Sequence, residues 1–268
     1  VDCRYVSYIN KAEANKIKIA EFLKKLPGPV GEKPPQRFER KFAIRPAGIS
    51  MSYAFLRQVC RPDKEYPKDR VNSLYFDTAD LDQYERSASG EYRKNKIRIR
   101  WYDSDAVERG GMPVYFELKS REGFASSKQR RKFNVPPQSL KLENLNRGIL
   151  DYATIIETLA SFKYFLENRI KPIIYISYNR YRFSELQTGT RVCLDYDIRA
   201  SVVSPELGRH GHEIRLEDVV LEVKGPSIEL PVTLRYMQQL DVDWSRFSKY
   251  SGCLDAYFTR AEQQGSSK

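Results

Sequence analysis

Through much of this chain polar and apolar residues alternate with a period of two. At that spacing successive side chains of an extended strand leave on opposite faces. In Arg93–Tyr102, RKNKIRIRWY, the alternation places Lys96, Arg98 and Arg100 on one face and Ile97, Ile99 and Trp101 on the other. The following run repeats the division, with Tyr115, Glu117 and Lys119 opposite Val114, Phe116 and Leu118. Gly110-Gly111 marks the loop between the two strands. Further strands are predicted at Arg37–Ile44 (Glu39 and Lys41 opposite Phe38, Phe42 and Ile44), Val71–Thr78, Lys128–Val135, Pro172–Phe183, Thr190–Ile198 and Val219–Gly225.

Helical spacing appears in fewer places. Residues 11–26 carry Ile19, Leu23 and Leu26 on one stripe, and PGPVGEKPP at 27–35 reads as a linker. A helix is expected near Ser50–Cys60. Another runs from an Asp151 cap to about Glu167, with Ile155, Leu159, Phe162 and Leu166 on its apolar stripe. A fourth follows Pro231, and Phe247–Tyr250 precede a last short segment. The expected organisation is an N-terminal helix and linker at 1–35, one domain at 36–262 and a disordered tail at 263–268.

Composition narrows what such a sheet does. The chain has 268 residues, 41% of them apolar, enough to bury a core, and a net charge of +11. That excess of positive charge points to a phosphate-rich partner, whether nucleic acid, anionic lipid, or nucleotide and polyphosphate. No run reaches the ~18 apolar residues of a membrane-spanning helix, and the start lacks a signal peptide's apolar core. Cys3, Cys60, Cys193 and Cys253 form no CxxC pair, which argues against a zinc site and a disulfide scaffold and for a cytoplasmic setting. The only histidines, His210 and His212, sit in a Gly-flanked turn, so chemistry built on a histidine base is not expected. The first residue is Val1, which suggests an excised or processed piece.

Nearly every predicted strand carries charges of both signs on one face and apolar or aromatic residues on the other. A two-sheet sandwich with charged exterior faces accounts for the large apolar faces and the scarcity of helices. A closed sheet with its charges lining the lumen accounts also for the mixing of Glu with Arg and Lys on the same rows, and closure removes open edges. The expected fold is therefore α+β, an eight-stranded antiparallel β-barrel tunnel with flanking helices.

An ordered set of motifs adds to this reading: FERKF (38–42), SLYFDT (73–78), GEYRKNKIRIRWY (90–102), FELKS (116–120), KQRRKF (128–133), SYNRYRF (177–183), TRVCLD (190–195), LEVK (221–224) and FSKY (247–250). From Gln36 to Phe258 the chain resembles the catalytic domain of the vacuolar transporter chaperone (VTC) family, within the triphosphate tunnel metalloenzymes and related to CYTH domains. The resemblance implies an eight-stranded tunnel and a polyphosphate polymerase, a phosphotransferase moving the γ-phosphate of ATP onto a growing polyphosphate chain. Residue by residue, it implies Arg98, Arg100, Lys119, Arg180, Arg191 and Lys249 as catalytic cations. Lys41, Arg130, Tyr178, Lys224 and Ser248 would bind substrate, and Glu222 and Glu39 would hold Mn²⁺ or Mg²⁺. ATP and pyrophosphate or polyphosphate are the implied partners, with membrane-associated subunits as further partners and no nucleic acid. The family's eukaryotic regulatory domain and membrane tail are not in this sequence, so their properties are not carried over.

Phosphoryl transfer needs mainly positioning and charge neutralisation, which arginine and lysine supply. The same lumen would also serve a triphosphatase, with Glu39, Glu117 and Glu222 as metal-binding carboxylates and water as acceptor, although Glu117 could equally pair with Lys119 or Arg98. A non-catalytic polyphosphate-binding subunit is a further alternative. Nucleic-acid binding through surface aromatics such as Trp101 and Tyr102 fits the charge but has no motif behind it.

Overall fold

The computed structural model describes residues 38–122, 125–208, 213–227, 229–237, 242–244 and 247–265. The expected N-terminal helix and linker, Cys3, His210 and His212 lie outside the described residues. Eight long strands build the wall: β1 (Phe38–Ile44), β3 (Lys68–Asp77), β4 (Arg93–Tyr102), β5 (Met112–Glu122), β6 (Ala125–Val135), β7 (Lys171–Glu185), β8 (Arg191–Val202) and β10 (Val219–Gly225). Three short strands join them: β2 (Cys60–Pro62) beside β7, β9 (Glu213–Leu216) beside β8, and β11 (Val242–Trp244) at one edge. All pairings are antiparallel, and the main path runs β11-β1-β10-β8-β7-β3-β4-β5-β6.

The sheet curls but is not closed by hydrogen bonds among the described residues, since β6 and β11 remain the ends of the path. What draws the two limbs together is charge. Lys119 on β5 reaches across to Glu39 on β1, with Nζ 3.0 Å from Oε2. The fold is thus a curled antiparallel half-barrel of eight long strands.

Period-two alternation sorts the side chains as the sequence predicts. On the convex side, Leu74, Phe76, Ile97, Ile99, Trp101, Val114, Phe116 and Leu118 pack beneath α3 (Tyr152–Ser161) and the segments around it. A second outer cluster, including Phe42, Ile44, Phe183, Val192, Leu194, Leu221 and Val223, packs under α1 (Ile49–Val59) and α4 (Val232–Arg235). Inside the curl a third cluster joins Tyr75, Ile174, Ile176, Tyr178 and Val220 to Tyr250, Cys253 and Leu254 of α5 (Lys249–Gly265). That helix replaces the short final segment expected from sequence and extends to Gly265, into the residues expected to be a disordered tail.

Other boundaries also moved. The Asp151 cap is present, its side chain accepting from the Thr154 N–H at 2.8 Å, but α3 ends at Ser161 instead of near Glu167. Lys163 takes a left-handed φ of 57°, and the Tyr164 N–H turns back to the Leu159 carbonyl, closing the helix. Phe162 and Leu166 still pack on the outer core from the following loop. β5 reaches Glu122, and β6 starts at Ala125, three residues before the strand predicted from Lys128.

Two ladder irregularities shape the interior. Between Tyr75 and Phe76 the register with β7 shifts beside Pro172, which has no N–H to donate. Tyr178 falls in a second shift between Ser177 and Asn179, opposite Asp197 at φ 51°. Such bulges re-aim side chains, and Tyr178 is directed into the interior.

Phe116 is fully buried in the outer cluster, whereas Phe165 is 77% exposed. Phe116→Ala is expected to lower stability by about 3–5 kcal/mol and Phe165→Ala to change it little, as measured by urea unfolding.

Candidate functional site: a charge-lined tunnel

The concave face collects one charged row from each strand. β4 contributes Lys96, Arg98 and Arg100, and β5 contributes Tyr115, Glu117 and Lys119, adjacent through the pairing of Lys96 with Lys119 and Arg98 with Glu117. Arg98 places Nε and Nη2 on Glu117 Oε2 at 2.9 and 2.7 Å, and its Nη1 donates to the Tyr75 hydroxyl at 3.0 Å. Lys128 and Arg130 of β6 approach the other oxygen of Glu117, at 2.5 and 3.6 Å. Arg130 also stacks its guanidinium over the Tyr115 ring. Burial opposes ionisation of Glu117, yet Arg98, Arg100 and Lys128 outweigh it and hold the carboxyl far below the usual range. Lys128 itself is brought down to about 8, by burial against the pull of Glu117.

A second knot is centred on β7 and β8. Arg180 forms a two-pronged pair with Asp195, at 2.6 and 2.7 Å, and reaches Glu222 of β10 at 3.1 Å. Lys249, the first residue of α5, donates to Asp195 at 2.6 Å and lies over the Tyr178 ring. Asp195 is fully buried. Burial would raise its pKa, but Arg180 and Lys249 pull it below the usual value. Arg100 donates to Ser73 Oγ at 3.2 Å and to the Tyr178 hydroxyl at 3.2 Å, with no ion pair among the described residues, and its charge also acts on Glu117 of the first knot.

The third group surrounds Glu222 and Glu39 on neighbouring strands. Lys224 lies 2.5 Å from Glu222 Oε1 and 3.8 Å from Glu39 Oε2, and Lys41 lies 3.3 Å from Glu39 Oε1. Against burial, Lys224, Arg180 and Lys41 hold Glu222 well below the usual glutamate value. Nearby, Lys41 donates to the Phe247 carbonyl at 3.1 Å and Lys96 to Ser248 Oγ at 2.7 Å, fastening the start of α5 to the wall.

Twelve of the thirteen residues singled out from sequence thus join one contact network. Arg191 does not: it shares a row with Cys193 and Asp195 and pairs with Lys224 in the ladder, but it is exposed at the rim without a side-chain partner among the described residues. Its place at the strand's first residue explains this, because the ends of a barrel strand project beyond the enclosed space. Trp101 is buried in the outer core and stacked on Tyr175, so it is not a surface aromatic for nucleic acid.

Asp195, Tyr75, Lys96 and Lys128 belong to the network without having been chosen as site residues. Asp195, Lys96 and Lys128 sit on rows with chosen residues, and that parity could have found them. Glu117 was named as a metal-binding alternative or as a partner of Lys119 or Arg98; Arg98 holds it, together with Lys128 and Arg130. Tyr75 lies in an apolar strand and gave no signal.

The donor set suits a hard divalent cation in one limited sense. Among the described residues no three His, Cys, Asp or Glu side chains gather as a metal cage. Glu222 and Glu39 offer two adjacent carboxylates, and Mg²⁺-type ions are commonly held by one or two carboxylates plus substrate phosphates. These residues fit an ion that arrives with, and is completed by, a phosphate ligand.

The curled antiparallel wall turns its cations and carboxylates inward, with α1, α3 and α4 packed outside and α5 inside the curl. The profile of the VTC domain matches residues 36–258, and the chain belongs to that family. No curated protein matches it. Among solved structures it is similar to a Bacillus halodurans protein named as an adenylate cyclase, at 17% identity and TM-score 0.48, covering 80% of this chain and 95% of that one. It is also similar to a Hippeastrum protein named as an adenylyl cyclase and described as having a dominant triphosphatase activity, at 16% identity and TM-score 0.46, covering 82% and 95%.

Glu117 and Asp195 are both depressed by cationic neighbours in the folded state. Their contribution to stability is present at neutral pH and is lost as pH falls below the ordinary carboxylate range. Urea midpoints are therefore expected to fall steeply below about pH 4, and Glu117→Gln to flatten that slope. An unchanged acid slope in the variant would count against the pairing.

Proposed function

We propose that this domain is a metal-dependent polyphosphate polymerase, transferring the γ-phosphate of ATP to the end of an inorganic polyphosphate chain inside the tunnel. The observation that carries the reading is the convergence of Arg98, Arg100, Lys119, Arg180, Lys224 and Lys249 on one enclosed face, together with membership of the VTC family. Two of these strands supply arginines, whose planar forks match phosphate oxygens; the lysines act as point charges. Each charge-assisted bond is worth about 1.5–3 kcal/mol, so several together can hold a triphosphate in line.

In the reaction an oxygen of the polyphosphate end attacks the γ-phosphorus, and the bond to the β-bridging oxygen breaks with its electron pair leaving on ADP. The attacking end is already ionised, so no base is required. Arg98, Arg100, Arg180 and Lys249 neutralise charge spread over the transferring group, while Tyr178 and Ser248 donate hydrogen bonds and Lys41, Lys119, Lys224 and Arg130 hold the flanking phosphates. Arg191 at the rim would meet the polyanion as it enters. Glu222 and Glu39 would hold Mn²⁺ or Mg²⁺, which when bound neutralises phosphate charge and orients the group.

A triphosphatase would use the same cations with water as acceptor. Its carboxylates Glu39, Glu117 and Glu222 are each paired with cations, Glu39 with Lys41 and Lys119, Glu117 with Arg98, Lys128 and Arg130, and Glu222 with Arg180 and Lys224. No described helix is long and apolar enough to cross a membrane; a cytoplasmic setting with membrane-associated partner subunits belongs to this proposal.

Incubation of the purified chain with ATP and Mn²⁺, with and without pyrophosphate, is expected to yield a ladder of polyphosphate on a gel. Orthophosphate alone would mean a triphosphatase, and no turnover a binding subunit. Arg98→Ala and Glu222→Ala are expected to lower turnover at least ~100-fold while circular dichroism stays native. Glu117 retains Lys128 and Arg130 in the first variant, and Arg180 retains Asp195 in the second. Full turnover in both would remove the site assignment.

A further inference from the structure

The lumen lysines differ in one respect. Lys41 and Lys119 touch Glu39, Lys128 touches Glu117, Lys224 touches Glu222 and Lys249 touches Asp195. Lys96 has no carboxylate partner among the described residues; its ammonium donates to the neutral hydroxyl of Ser248 at 2.7 Å. The groups that face it are cations: Lys41 from β1, Lys119 from β5, and Arg98 and Lys94 from its own strand. From α5 the neighbouring residue is Lys249, whose charge is spent on Asp195. A half-buried ammonium among like charges, with a hydroxyl as its sole neutral partner, is a position that lacks an anion.

We infer that Lys96 is a further phosphate-contacting residue of the tunnel, binding the polyanion at the α5 end together with Lys41 and Lys119. This inference rests on the polyphosphate reading above. Ser248 serves as the intermediary, since its hydroxyl accepts from Lys96 and can turn its own proton toward a phosphate oxygen.

A consequence separates this role from a merely structural one. Burial, and then repulsion from Lys41, Lys119 and Arg98, bring the Lys96 ammonium down to about 7. A phosphate oxygen beside it favours the charged form, so near neutral pH ligand binding draws a proton onto Lys96. Arginine at this position is charged throughout and has no proton to gain.

The test is calorimetric titration of the intact chain with inorganic tripolyphosphate in metal-free solution at about pH 7.5, above the free-state value of Lys96, in two buffers of unlike ionisation enthalpy. The wild type is expected to take up about three-quarters of a proton more per ligand than Lys96→Arg, which should bind with similar affinity. Lys96→Met should bind about tenfold or more weakly while melting as the wild type does. Wild-type affinity in Lys96→Met, or wild-type proton uptake in Lys96→Arg, overturns the assignment and leaves the polyphosphate reading standing. Absence of tripolyphosphate binding to the wild type overturns both.

Discussion

Asp195, fully buried, sits between Arg180 and Lys249, and Arg180 extends the contact to Glu222, which Lys224 holds from its other side. This run of opposite charges is the constraint on which the rest depends. Removing ions from water costs several kcal/mol each unless partners and hydrogen bonds compensate. A wall of inward cations alone would repel itself apart. Each carboxylate in the tunnel therefore serves two or three cations, with Glu39, Glu117, Asp195 and Glu222 spaced around the strands. The Lys119–Glu39 pair adds a mechanical role, since it ties together limbs of the sheet that no described ladder joins.

Because the ionic face is a weak source of stability, the apolar burial lies elsewhere. The convex face carries two clusters roofed by short helices and loops, and α5 supplies a third from within. Tyr250 of α5 stacks on Tyr75, and its hydroxyl donates to Asp77 at 2.6 Å. Asp77 also accepts from the Gln83 and Tyr84 N–H groups at the start of α2 (Asp82–Ala88). One buried carboxylate thus anchors two helices. The anchorage sets where Lys249 and Ser248 stand in the lumen, and the bulge at Tyr178 brings a hydroxyl to meet Arg100. Folding energy and site geometry are separated by face but joined through these few residues.

On the function proposed above, the same pairing that makes the buried cations tolerable prepares the tunnel for a polyanion. Phosphate oxygens can take the place of carboxylate oxygens on Arg98, Arg180 and the lysines with little rearrangement, because the cations already point inward and are held on strands. Arg100, which among the described residues has only hydroxyl partners, and Lys96, which among them has only Ser248, are positions where a bound phosphate would add charge compensation.

Alternation by itself determined much of this protein. A period of two needs no tertiary information, because the pleat of a strand dictates which residues share a face; the rows of Arg98 and Arg100, Glu117 and Lys119, and Glu222 and Lys224 were legible on that ground. The ordered motifs carried the family and with it the choice of chosen residues on those rows. Tertiary structure decided whether the charged rows faced water or one another, since parity says nothing of which side curls inward. It also decided which acid answers which cation, that Arg191 stands at the rim, and that the last segment is a long helix plugged into the lumen. Those outcomes depend on where distant strands and α5 meet, over separations such as the one between Lys119 and Glu39, and no local pattern encodes a contact of that kind.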